Sequence, residues 1–235
     1  MNHFPLWPWA ALFLLGAYHG VNPGMGWLFA VALGMQKKNA AAVWQSLVPI
    51  ASGHFVAIAL VVAAAVLAGA VLPLRYIKIA AACVLLAFGL HRLIRKSHPR
   101  WGGMQIGFRD LAIWSFLMAS AHGAGFMLLP ILLKMSALQA AADVGHSAHH
   151  LHALGFAGPS NLGPSTLGAW TLGPWTASIA LLVHTLGYLL VTGLIAFVVY
   201  EKLGLEVLRK SWVNLDLIWA VALIATAGFT LLIPT

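Results

Sequence analysis

Residues 1–36 and 39–74 contain no Lys, Arg, Asp or Glu at all. A soluble domain covers itself with a surface of which roughly a quarter to a third is charged, and neither stretch can supply one. The rest of the chain does little to compensate: of 235 residues, 61% are hydrophobic and 8% charged. Soluble and disordered classes are thereby excluded. In lipid every backbone polar group must be paired within the protein, so the chain reads as an all-α integral membrane protein, a single transmembrane domain over residues 1–235.

A membrane crossing takes about 20 mostly apolar residues. Six stretches meet that need, at approximately 8–35, 42–72, 74–96, 109–135, 174–200 and 214–233. The first two are too long, since each uncharged stretch would reach roughly 54 Å as one helix against a hydrocarbon core of about 30 Å. Tilt, breakage or projection from the membrane is expected to absorb the excess. The third stretch is short between Lys78 and Arg92 and spans only if those side chains reach along the helix to the headgroups. Residues 1–20 lack a cationic start, and Tyr18, His19 and Gly20 make a poor cleavage site, so they are expected to be part of the first helix rather than a signal peptide.

The net charge of +8 does not point to nucleic acid, because the cations fall between apolar runs, where they face lipid headgroups. With the amino terminus outside, Lys37, Lys38, Arg92, Arg95, Lys96, Arg100, Arg109, Lys202, Arg209 and Lys210 are cytoplasmic, and only Arg75, Lys78 and Lys134 lie opposite. The positive-inside rule therefore predicts both termini outside, periplasmic if the membrane is a bacterial inner membrane. The long connection at about 136–173 falls on the same side. The single cysteine, Cys83, allows neither an internal disulfide nor a cysteine cage for metal.

His19, His54, His122 and His184 lie well inside the expected spans, and no acidic residue does. Imidazole is then the one titratable chemistry at membrane depth, able to donate through one nitrogen and accept or ligate through the other. A single such histidine is commonly a packing pin bonded to a neighbouring helix. Four of them, in contexts that echo one another, suggest a shared site. "AYHGVNPG" in the first span parallels "SAHGAGFM" in the fourth, and "SGHFVAIAL" in the second parallels "LVHTLGYLL" in the fifth. The chain thus divides into two three-helix repeats, about 8–96 and 109–233. Three is odd, so the second repeat enters from the opposite face, and inverted repeats of this kind place a transport site near the bilayer midplane.

Pro23 has no N–H for the carbonyl of His19 four residues earlier, so an unpaired oxygen is expected beside an imidazole. Gly20, Gly24 and Gly26 weaken the helix further, and Asn22 adds amide groups at the break. Pro130, freeing the Phe126 carbonyl, repeats the theme, so helices one and four are expected to be broken or kinked. Met118 lies one turn before His122 and Met25 lies near the first break; thioether with imidazole would suit a soft cation. In the connection, His146, His149, His150 and His152 form a weaker candidate metal tract, the first three sharing a face if helical.

The motifs "GAYHGVNPGMGW", "SGHFVAI" and "SAHGAG" resemble the His-Gly-x-x-Pro, Gly-His and His-Gly-x-x-Gly signatures of nickel/cobalt-efflux and urease-accessory-type membrane proteins of the lysine-exporter superfamily. The resemblance covers the six-helix layout and about 30 motif residues. It implies a small inner-membrane protein, often oligomeric, that moves amino acids or transition metals. It also implies that His19, Pro23, His54 and His122 line the pathway. One departure bears on the substrate: where metal-transporting relatives carry Asp-His after the first proline, this chain has Gly24 and Met25. With no carboxylate in the site, a dication is harder to accommodate than a monovalent soft ion or a neutral solute.

The expected function is a secondary transporter, an exporter and not an enzyme, that carries a small substrate, a transition-metal cation above others. The substrate-binding set is His19, Asn22, Pro23, Met25, His54, Met118, His122 and His184. Its partners are the bilayer, the substrate and further copies of itself, with no nucleic acid. Two alternatives use the same histidines: axial ligation of haem b for electron transfer, and a metal-dependent membrane enzyme, which lacks a carboxylate base.

Overall fold

A computed structural model describes residues 5–69, 72–94, 107–153, 172–203 and 215–232, and the regular structure among them is entirely helical. In chain order the elements are α1 (Trp7–Val21), a short 3₁₀ turn (Pro23–Met25), α2 (Trp27–Lys37), α3 (Ala40–Gly69) and α4 (Leu74–Ile94). There follow α5 (Phe108–Ala121), α6 (Ala124–Ala153), α7 (Pro174–Val198) with a π-helical extension (Val199–Leu203), and α8 (Leu215–Leu232).

Local chemistry explains several of these ends. Pro8 and Pro174 lie in the first turns of α1 and α7, where a missing N–H costs nothing. Asp110 reaches back to accept from the Gly107 N–H at 3.0 Å, opening α5. Asn39 accepts from the Ala41 N–H at 2.9 Å and starts α3 directly after Lys38, which ends α2 in the left-handed region.

Two helices are long and apolar enough to cross a membrane: α3, with 30 residues, and α7 with its extension, Pro174–Lys202, with 29. A third crossing results if α5 and Ala124–Gln139 of α6, bent by 59° at the break between them, count as one span. The lateral distribution of side chains fits lipid rather than water. Along α7, Leu182, Leu186, Leu190 and Leu194 recur every fourth residue and are all more than half exposed, while His184, Tyr188 and Thr192 of the same helix are fully buried. Polar groups inside and leucine outside is the arrangement that a hydrocarbon solvent favours.

The helices pack in three close pairs: α1 against α7, α3 against α5, and α4 against α8. Glycine makes the first two intimate. A Cβ at Gly16 would strike the carbonyl of His184, one at Gly187 the carbonyl of Phe13, and one at Gly53 the carbonyl of Ala112, so backbone lies on backbone at all three contacts.

Two expectations need correction. Residues 136–153 were expected to begin the long connection, yet α6 runs unbroken to Ala153, carrying His146, His149, His150 and His152 on helical backbone. The stretch from Ala137 to Ala142 consists of strong helix formers, and the first concentrated breakers are Gly155, Gly158 and Pro159. The remainder of the connection, 154–171, lies outside the described residues. The stretch expected to be the fourth span is broken, but not at Pro130, which α6 accommodates internally. The break falls at His122 and Gly123, where Gly123 adopts a φ of +67° that other residues rarely take.

Candidate functional site

His19 lies in the last turn of α1 and His122 caps the end of α5. They sit alike: the Nδ1 of His19 is 2.7 Å from the Leu15 carbonyl, and that of His122 is 2.7 Å from the Met118 carbonyl, each four residues back. Each helix breaks just beyond its histidine. Between α1 and α2 Asn22 turns the chain, its Oδ1 accepting from the Gly24 N–H at 2.9 Å, and its Nδ2 stands 3.4 Å from the Nε2 of His122. The two breaks therefore meet through one amide and one imidazole.

His54 and His184 come from the middle of α3 and α7. Their Nε2 atoms are 3.4 Å apart, and the Nδ1 of His184 reaches the Leu12 carbonyl on α1 at 3.2 Å. His19 completes a triangle with them, its ring centroid 5.7 Å from that of His54 and 5.2 Å from that of His184, while the latter two are 5.6 Å apart. None of these three rings has any exposed surface. Three helices thus bring three imidazoles together, and Asn22 joins the fourth to the break of α1.

The hydrogen bonds assign the tautomers. A carbonyl only accepts, so His19, His122 and His184 each carry their proton on Nδ1 and a lone pair on Nε2. His122 Nε2 then accepts from Asn22, and His184 Nε2 accepts from the Nε2–H of His54. The lone pair of His54 is left on Nδ1, a buried atom with no hydrogen-bond partner among the described residues. An imidazole whose Nδ1–H is fixed by a backbone carbonyl presents Nε2 in the manner usual for metal-ligating histidine.

The first break differs from the expectation in one respect. The carbonyl of His19 is not orphaned, because the Asn22 N–H takes it at 3.3 Å. The carbonyls released by the break lie further on, and side chains from elsewhere meet them. Trp27 Nε1 donates to Val21 at 2.9 Å, Trp114 Nε1 donates to Gly24 at 3.0 Å, and the Tyr188 hydroxyl donates to Met25. Gly26, with a φ of +148°, lets the chain turn into α2.

Of the other expected residues, Pro23 opens the 3₁₀ turn and Met25 packs in the apolar core with Ile50 and Tyr188. The methyl of Met118 lies beside Gly24, so Met118 and His122 do face the first break together. Cys83 is exposed on α4, a helix that carries none of the four histidines. Tyr188, Trp114 and Ser115 were not anticipated. Tyr188 stacks on His54 with centroids 3.9 Å apart and planes at 15°, and Ser115 Oγ donates to the Ile50 carbonyl at 2.7 Å. The signal was present for Tyr188, a phenol one turn after His184 in an otherwise apolar run.

Among the described residues no group of three or more His, Cys, Asp or Glu is arranged to hold a metal ion as the side chains stand. The rings touch one another rather than aiming at a common point. A cavity of about 350 Å³ lies elsewhere, between α3, α4 and α6, with Leu60, Ala64, Tyr76, Ile77, Phe126 and Leu129 among its lining and none of the four histidines. No protein-family model, curated protein or solved structure matches the chain.

Proposed function

We propose that the chain is a secondary transporter of the bacterial inner membrane, an exporter, that passes a transition-metal cation through the histidine cluster. Six spans form two inverted three-helix halves, with both termini outside. The helix pairing supports this division: the first span of each half packs on the second span of the other, α1 on α7 and α5 on α3, while the two third spans, α4 and α8, pack together. The matching Nδ1 bonds of His19 and His122, each just before a break, support it as well. Alternating access then follows from one half rocking against the other about the cluster.

The observation that carries the substrate class is the 3.4 Å separation of the His54 and His184 Nε2 atoms, with the ring of His19 alongside both. Two imidazoles on one tetrahedral ion, at metal–nitrogen distances of about 2.0–2.1 Å, hold their nitrogens roughly 3.3 Å apart. The closed cluster is thus at ligand spacing already. What it lacks is a lone pair, because the Nε2 of His54 carries the proton. For His54 to ligate, that proton moves to Nδ1, whose lone pair has no partner, or leaves the site. Departure would offset one charge of the entering cation, in a cluster with no carboxylate to do so.

Axial ligation of haem b fits less well, since a porphyrin needs an open slab between paired nitrogens, and here the nitrogens are in contact with Tyr188 stacked behind. The deciding experiment is flux of Ni²⁺, Co²⁺, Cu⁺ and Zn²⁺ in proteoliposomes, with optical and elemental analysis of the purified protein. Transport of at least one ion, lost in His54→Ala and His19→Ala, is expected. Absence of flux for all four, or a Soret band with stoichiometric haem, would remove the transport reading.

A further inference from the structure

We infer that Tyr188 is the residue that links substrate occupancy at the histidine cluster to the break in the first span, a positioning role resting on the transport function proposed above. Tyr188 is fully buried on α7, one turn beyond His184. Its two ends serve two different places. The ring lies flat against His54, with centroids 3.9 Å apart and planes at 15°. The hydroxyl donates to the carbonyl of Met25, 163 positions away in sequence, at the last residue of the 3₁₀ turn. A Cβ on Gly26 would stand 3.1 Å from the same hydroxyl, so the phenol is wedged against the turn as well as bonded to it.

The chain has three released carbonyls at this break, and Tyr188 is distinct among their donors. Trp27 belongs to the break itself, and Trp114 reaches Gly24 from α5 and packs against Phe29. The donor from Tyr188 also stacks on an imidazole of the cluster. Even at this spacing and with the proton gone, ligation turns the His54 ring, because a hydrogen-bonded Nε2 points along the line to its partner whereas two nitrogens on one ion point to a place beside that line. Stacked at 3.9 Å, the tyrosine ring must move with it, because a packed interior has no slack to absorb the displacement. That movement withdraws the hydroxyl from the Met25 carbonyl and frees the turn between α1 and α2, the flexible point about which the first span can change shape. The empty, closed site holds the turn fixed; the occupied site releases it.

Hydrogen–deuterium exchange on the purified full chain, read on peptides covering residues 20–27 with and without Co²⁺, tests this independently of flux. In the unaltered protein Co²⁺ should speed exchange at the break. Tyr188→Phe keeps the stack and removes the bond, so exchange should rise about tenfold without metal, the loss expected for one buried hydrogen bond, and Co²⁺ should add nothing. His54→Ala removes the stack and keeps the bond, so the break should stay protected and stop responding to Co²⁺. Trp114→Phe should speed exchange yet preserve the response. Tyr188→Phe with normal protection, or with its Co²⁺ response intact, overturns the link, as does an unresponsive break in the unaltered protein. When such a result accompanies metal flux in proteoliposomes, the link alone has failed; when no flux is found either, the transport reading beneath it has failed too.

Discussion

Gly16→Ala adds one methyl group at the place where α1 rests on α7. The new Cβ would collide with the His184 carbonyl oxygen and stand 2.9 Å from both the carbonyl carbon of His184 and the amide nitrogen of Tyr188, where ordinary contact begins at 3.4 Å. These are backbone atoms inside a helix and cannot swing aside, so α1 must withdraw by about half an ångström or more. The Leu12 carbonyl retreats with it, and its 3.2 Å bond to His184 Nδ1 passes out of hydrogen-bonding range. Overpacking of this kind costs about 1–3 kcal/mol and the lost bond about 1 kcal/mol. The gain in helix propensity on replacing glycine returns at most about 1 kcal/mol. The net is a destabilisation of about 1–3 kcal/mol together with a widened His19–His184 gap. Thermal unfolding of the purified protein and metal flux in proteoliposomes measure the two consequences, and both should fall. Gly228→Ala on α8 is the control, since a Cβ there meets nothing within 4 Å, and it should be neutral or slightly stabilising. A Gly16→Ala protein as stable and active as the unaltered one, or a Gly228→Ala protein that loses as much, would refute the backbone contact and the site geometry built on it.

Gly26→Ala should abolish recovery of monodisperse protein in size-exclusion chromatography, because its φ of +148° is closed to alanine and the Cβ would lie 2.5 Å from Ile50 Cγ2. Ser115→Ala should lower stability by about 1 kcal/mol in thermal unfolding, through loss of the 2.7 Å bond to the Ile50 carbonyl that ties α5 to α3. Cys83→Ser should change neither unfolding nor flux, since the side chain is exposed and outside the site.

The all-helical character and the approximate places of the helices were legible because they depend on the gross distribution of charge: the uncharged runs and the clusters at Lys37–Lys38 and Arg92–Lys96 left little choice about where helices run. His19, His54, His122 and His184 were legible as a group because no carboxylate lies well inside the same apolar runs. Pro23 and its glycines announced a break, but not which carbonyls it would free. That depended on Asn22 folding back to cap its own turn, and on Trp114 and Tyr188 arriving from other helices, long-range contacts with no local pattern. The second break was misplaced at Pro130 because helices can absorb a proline when neighbours pack around it, whereas Gly123 supplies a positive φ without any steric mark in the sequence. The extent of α6 was underestimated because histidine and serine near 146–152 read as loop, although the alanines before them sustain a helix.

The most direct measurement is metal binding by equilibrium dialysis with elemental analysis, using protein in which His146, His149, His150 and His152 are all replaced by alanine. The buried four then remain with His3, His91 and His98, of which His91 is an exposed residue of α4. Stoichiometric binding of Ni²⁺, Co²⁺, Cu⁺ or Zn²⁺ that persists in this background and disappears on adding His54→Ala is the expected result. Binding that vanishes with the α6 histidines, or survives unchanged without His54, would contradict the assignment of the buried cluster as the substrate site.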